Sequence, residues 1–156
     1  YGNVLESTGS VIPFFQSLLE KGEQELPITD KRMTRFLITL DESVDLIDWS
    51  FNHAESHGNI VVPRLKSMKM THLAKELGKS YGVEDLKLNY IGIRAGEKIH
   101  EEMVSLEESL RTKIFEKYFM ITDYVMNEEA WSFASNTVIM EAEDVEEFLR
   151  EKGVIK

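Results

Sequence analysis

The sequence predicts an α/β fold in which helices alternate with short strands. Two observations predict it. Apolar residues recur at helical spacing in some segments and in alternating or β-branched runs in others. Of the 156 residues, 42% are hydrophobic, enough for one domain with a genuine core.

The elements follow in order. Gly9, Ser10 and Pro13 interrupt the start. Residues 11–21 then place Val11, Phe14, Phe15, Leu18 and Leu19 on one helical face, and Gly22 stops that helix. Pro27 and Asp30 mark a turn before a strand carrying Met33, Phe36, Leu37 and Ile38. Thr39 and Glu42 fit a capping box, so a helix starts there, with Leu40, Val44, Ile47 and Phe51 as its expected buried stripe. Residues 52–59 read as its frayed end, and residues 60–63 as a β-branched strand closed by proline. Thr71 is the expected N-cap of a helix that buries Leu73, Ala74 and Leu77 and ends at Gly78.

Residues 86–93 alternate well enough for a strand. Ile99, Met103 and Val104 suggest a short helix after Gly96, and residues 117–125 a strand. Ser135 and Asn136 read as a turn. The last helix starts near Ala142, with Glu143 and Asp144 at its beginning and Arg150 and Lys152 at its end, the order that the helix dipole favours.

Composition excludes several function classes. The net charge of −10 disfavours nucleic acid and anionic membrane as partners, so any phosphate site must be local. With no cysteine, disulfides, zinc-thiolate sites and thiol catalysis are excluded. No apolar run approaches the roughly 20 residues that span a bilayer, and no signal-peptide layout opens the chain, so a cytoplasmic location is expected. The opening Tyr1-Gly2-Asn3-Val4, without Met, reads as the middle of a longer protein.

Chemistry concentrates in IGIRAGEKIHE, residues 91–101. It is not a nucleotide-binding P-loop: Gly92 and Gly96 are too close, Glu97 precedes Lys98, and Ile99 stands where a hydroxyl is needed. An arginine at a strand end can still grip a phosphate through its fork of donors, with Glu97 free to accept from sugar hydroxyls. Equally, Arg94 and Glu97 can simply pair. Arg35 shares a strand face with Met33 and Leu37, where it either pairs with Asp30, the reading the residues favour, or faces a ligand.

Metal and nucleophile motifs are weak or missing. His100-Glu101-Glu102 reverses the zinc-protease order and lacks its second histidine, while His53 and His57 lack a third ligand. No metal site and no catalytic residue is assigned. The methionines, Met33, Met68, Met70, Met103 and Met120 among them, read as core filler. No glycine-rich dinucleotide motif or Gly-x-Ser-x-Gly occurs, and none of the five tyrosines precedes a lysine by four residues.

Several phrases together carry a resemblance: Tyr1-Gly2-Asn3-Val4, Gly9-Ser10-Val11-Ile12-Pro13-Phe14-Phe15, and Leu26-Pro27-Ile28-Thr29-Asp30 with Arg32-Met33-Thr34-Arg35-Phe36. Val62-Pro63, Lys66-Ser67-Met68-Lys69-Met70-Thr71-His72-Leu73-Ala74, and Ile91-Gly92-Ile93-Arg94-Ala95-Gly96-Glu97-Lys98 with His100-Glu101-Glu102-Met103 continue it. The chain resembles the C-terminal part of UDP-N-acetylglucosamine 4,6-dehydratases and related polysaccharide-biosynthesis epimerases, in the extended short-chain dehydrogenase/reductase group. It departs from them at Leu37, Ala95 and a longer connection over residues 79–88.

The resemblance implies a C-terminal substrate-binding portion without its Rossmann sheet: residues 1–105 as the substrate-binding domain, and residues 106–156 as an extension packing on it or on a neighbouring subunit. It places Asn3 on the substrate and nicotinamide side, Arg35 and Arg94 at the UDP diphosphate, Glu97 at ribose hydroxyls, and Met68 and Lys69 near the base. NAD or NADP is expected on the missing N-terminal half. The expected partners are the UDP-sugar, that Rossmann domain and further copies in a homo-oligomer. The implied function is the nucleotide-sugar-binding half of a 4,6-dehydratase, inactive alone. A UDP-sugar 4-epimerase or a non-catalytic interaction module are the alternatives.

Overall fold

Short strands and helices do alternate through this computed structural model, which describes residues 1–5 and 7–156. The order is β1 (Asn3–Val4), α1 (Val11–Glu20), β2 (Glu25–Ile28), β3 (Thr34–Ile38), α2 (Leu40–Asn52), β4 (Ile60–Pro63), β5 (Ser67–Lys69) and α3 (Met70–Ser80). Then come β6 (Lys87–Tyr90), β7 (Glu102–Val104), α4 (Leu106–Ser109), β8 (Thr112–Ile114), β9 (Tyr118–Ile121), β10 (Phe133–Ala134) and α5 (Ala142–Glu151). Among the described residues the strands form four small sheets, ordered β1-β3-β5, β2-β6, β4-β9-β8 and β10-β7.

Among the described residues two apolar cores hold these pieces. The larger one gathers Phe15 and Leu19 of α1, Leu26 and Ile28 of β2, Leu73 and Leu77 of α3, and Val145 and Leu149 of α5. Phe36, Val62, Val104, Phe119, Ile121 and Phe133 make the smaller one, where the Phe36 and Phe133 rings lie 4.8 Å apart. Residues after 106 enter both cores, since β9 pairs with β4, β10 with β7, and α5 packs on α3. A buried polar joint locks the sheets together: Thr34 and Ser135 share a 2.7 Å hydroxyl contact, and the Glu101 amide donates to the Ser135 hydroxyl.

Some expectations are met. Thr39 caps α2 and Glu42 reaches back to its amide, completing the box. Gly22 follows α1 at φ 83°, the left-handed conformation of a helix stop. The strand over Ile60–Pro63 and the helix from Ala142 form as read.

Others are corrected. The stripe expected to be buried on α2 is exposed: Leu40 67%, Val44 55%, Ile47 43% and Phe51 77%, while Ser43 and Leu46 face inward. Periodicity identifies an apolar face but not what covers it. Gly78 does not end α3: it sits inside the helix, where a Cβ would come 3.0 Å from Leu86, so its smallness admits that side chain. Lys69, not Thr71, is the N-cap of α3. The helix expected after Gly96 is coil followed by β7, because Val104 pairs with Phe133 across the ladder to β10. Ser135 and Asn136 do form the turn read there, although Ser135 is fully buried in it. A second capping box, Ser105 with Glu108, starts α4.

The α2 box makes a testable contribution. Burial pushes the Glu42 carboxyl up, but hydrogen bonds from Lys152 and Thr39 outweigh it and hold its pKa below the usual 4.5. A depressed carboxyl stabilises the fold above its unfolded pKa, and that contribution is lost as pH falls below 4.5. Thr39→Ala is expected to cost about 1 kcal/mol in urea unfolding at neutral pH, the usual cost of an N-cap. The cost should shrink in acid, where wild type also loses Glu42's share.

Candidate functional site

A cavity of about 650 Å³ opens where the exit of β2, the outer face of β3, the start of α1 and residues 91–97 converge. Backbone pairing creates it. β2 and β6 run parallel, and the register continues past both strands, with the Ile91 amide 2.9 Å from the Ile28 carbonyl and the Gly92 amide 3.1 Å from that of Thr29. Gly92 and Gly96, both at φ 84°, then fold the loop back over the β2 exit. Phe14, Phe15, Met33 and Leu37 give the cavity an apolar wall.

The loop presents Arg94 and Glu97 to this space. Glu97 is anchored: one oxygen accepts from the Thr29 hydroxyl at 3.3 Å and the other from the Arg94 amide at 3.3 Å. Its carboxylate therefore meets the Arg94 backbone and not its guanidinium. Among the described residues Arg94 makes no ion pair, so its charge is left facing the cavity mouth.

Alternation along β3 puts Met33, Arg35 and Leu37 on the cavity side, as the sequence indicated. The partner expected for Arg35 is corrected. Asp30 instead holds Arg32 through two hydrogen bonds of 2.8 and 2.9 Å, and that guanidinium keeps the Asp30 carboxyl well below the usual carboxylate range. Arg35 donates to the carbonyls of Thr34, Lys98 and Ile99 at 2.8, 2.8 and 3.1 Å, and its Nε lies 3.7 Å from Glu101. It clips the end of the loop to β3.

Glu101 is the residue that sequence reasoning missed. Its carboxylate accepts from the Asn3 side chain at 3.1 Å and from the Phe36 amide at 3.2 Å, while facing Arg35. Those three partners come from β1 and β3, far off in the chain, so no local pattern marks it. Asn3 also donates to the Phe36 carbonyl at 3.0 Å, which fixes its carboxamide at the cavity edge.

Thus Asn3, Arg35, Arg94 and Glu97 line one cavity, and Met68 and Lys69 do not. Met68 is buried in the larger core. Lys69 pairs with Thr34 across the β3–β5 ladder and so projects to the side away from Arg35.

A family model described as "Polysaccharide biosynthesis protein" matches residues 1–123. A UDP-N-acetylglucosamine 4,6-dehydratase (inverting) of Campylobacter jejuni subsp. jejuni serotype O:23/36 (strain 81-176) is 47% identical over 122 residues, 78% of this chain and 35% of that protein. A UDP-glucose 4-epimerase of Rickettsia akari (strain Hartford) is 40% identical over 121 residues, again 78% of this chain and 35% of that protein. The X-ray structure of Pen from Bacillus thuringiensis superposes with a TM-score of 0.85 at 26% identity, covering 100% of this chain and 49% of that one. This chain thus spans about a third of the length of the curated relatives it matches. The polar cavity residues Asn3 to Glu97, and Glu101 behind them, all fall inside the matched region, and the chain belongs to the polysaccharide biosynthesis protein family.

Proposed function

We propose that this chain supplies the nucleotide-sugar-binding side of an NAD(P)-dependent UDP-N-acetylhexosamine 4,6-dehydratase of surface polysaccharide or glycan biosynthesis. One observation carries the reading: an arginine that makes no ion pair among the described residues, beside an anchored carboxylate, over an apolar-walled cavity of about 650 Å³, a size that suits a small organic ligand. The names of the relatives point to the same ligand class.

In this reading Arg94 takes the diphosphate, where its planar fork matches paired phosphate oxygens. Glu97, held by Thr29, accepts from ribose hydroxyls. Arg35 has its donors on three carbonyls, so it contributes positive charge and the position of residues 98–101. Residues 1–105 carry this wall and residues 106–156 buttress it. Met68 and Lys69 stand outside it and take no substrate role.

NAD or NADP, when bound, would supply hydride transfer from and back to the sugar. The 156 residues fit only the edge of such a cofactor site, at Asn3, whose carboxamide oxygen accepts no hydrogen bond among the described residues. The dinucleotide fold lies in the remaining part of the full-length protein, and the uncovered apolar face of α2 receives it.

UDP titration by calorimetry tests the reading. The 156-residue chain should bind weakly or not at all, and the full-length protein clearly. Absence of binding by the full-length protein overturns it. The relatives named as 4-epimerases favour one second reading, and product mass decides it: loss of water excludes simple epimerisation.

A further inference from the structure

We propose a second, phosphate-binding site on the opposite side of the β3–β5 ladder from the cleft, at the start of α3, fit for a small phosphorylated anion. It occupies a separate cavity of about 510 Å³ lined by Lys31, Arg32, Lys69, His72, Lys75 and Tyr90. The β3–β5 register separates the two cavities, because Lys69 lies opposite Thr34 while Arg35 lies opposite Met68, and neighbouring residues in a strand point to opposite faces.

The charge distribution carries the argument. The chain has 28 acidic against 18 basic side chains, yet four of the basic ones line this cavity and, among the described residues, no carboxylate does. Asp30 fixes Arg32 from outside. Among the described residues Lys31, Lys69 and Lys75 enter no ion pair, so three positive charges around one cavity are left without a partner. A dianionic phosphate offsets those charges and gains charge-assisted hydrogen bonds.

Two further features favour the same ligand. The 11-residue helix α3 begins at this cavity with no side-chain cap and no acid in its first turn, so no side chain offsets its positive end, although the Met70 amide already donates to the Met33 carbonyl at 3.0 Å. His72 has a buried Nδ1 without a partner, and burial, with Lys69 and Lys75 adding to it, holds its pKa below the usual 6.5. Tyr90, Leu88 and Ile139 form an apolar shelf on which the rest of a phosphate ester can lie.

The site stands independently of the cleft's proposed ligand, and inorganic pyrophosphate is the probe. Calorimetry at low ionic strength in the Arg94→Ala background, where the cleft's own diphosphate contact is removed, should show binding that weakens at least about tenfold when Lys69→Gln/Lys75→Gln is added and weakens with added salt. Should the first pair fail to fold by circular dichroism, Lys31→Gln/Lys75→Gln, both at exposed positions, takes its place. Competition by AMP identifies a nucleotide ester as the source, and its failure to compete identifies free phosphate or diphosphate. No pyrophosphate binding in that background, or binding kept there in both lysine pairs, overturns the proposal. So does a lysine pair that alters only the association state by light scattering, since that marks an acidic protein surface as the occupant.

Discussion

Arg94→Ala in the full-length protein is expected to weaken UDP binding by about 1.5–3 kcal/mol, roughly 10- to 150-fold in Kd, and to leave the thermal midpoint unchanged. The two halves of that expectation rest on one geometric fact: the guanidinium has no partner within the described fold, so its removal breaks nothing there. Hydrogen bonds to charged groups carry the energy that is lost. Arg94→Lys should recover only part of it, because a point charge replaces a bidentate fork. Arg35→Ala must behave differently. It strips donors from three carbonyls and leaves Glu101 without its cation, so stability falls together with affinity. Calorimetry with UDP alongside thermal unfolding of both variants reads the contrast. Equal destabilisation by both would place Arg94 in the scaffold and remove it from the site.

The parts of this structure that were legible in the sequence are those whose causes are local. The Thr39–Glu42 box, the β-branched strand at Ile60 and the acid-to-base order of α5 each involve residues within a turn or two of one another. Ile99, Met103 and Val104 mimic helical spacing, but Met103 and Val104 belong to a strand whose partner, β10, lies about 30 residues on. Gly78 gives a stop signal, yet its smallness serves Leu86, which reaches it only in the folded state. The site divides in the same way. Arg94 and Glu97 announce themselves within one loop, whereas Glu101 acquires its meaning from Asn3, Arg35 and Phe36. Met68 and Lys69, placed together near the base by the resemblance, turn out to be neighbours in β5, whose side chains point to opposite faces and cannot both face one cleft.

The largest expected effect belongs to the exposed apolar face of α2. Leu40, Val44, Ile47 and Phe51 run along α2, and a groove of about 470 Å³ beside them is lined by Tyr1, Ile47, Phe51 and Val61. Ile60, at the start of β4, is exposed on the neighbouring strand. So much apolar surface in one place marks a contact surface. On our reading its occupant is the remaining part of the full-length protein, since these residues account for only 35% of the curated relatives' length. Val44→Asp/Phe51→Asp should therefore change the stability of the 156-residue chain by less than about 0.5 kcal/mol, as surface substitutions do. In the full-length protein the same pair should cost more than about 3 kcal/mol: burying Val and Phe contributes roughly 1.5–3 kcal/mol each, and two carboxylates would be left in an apolar interface. Urea unfolding of both forms measures the difference. A small effect in both would mean that the face stays in solvent, and a large one in both that it already packs within this chain. Only the asymmetric result fits a half-cleft whose second wall docks on α2, which also explains why a good amphipathic helix shows its apolar side to water here.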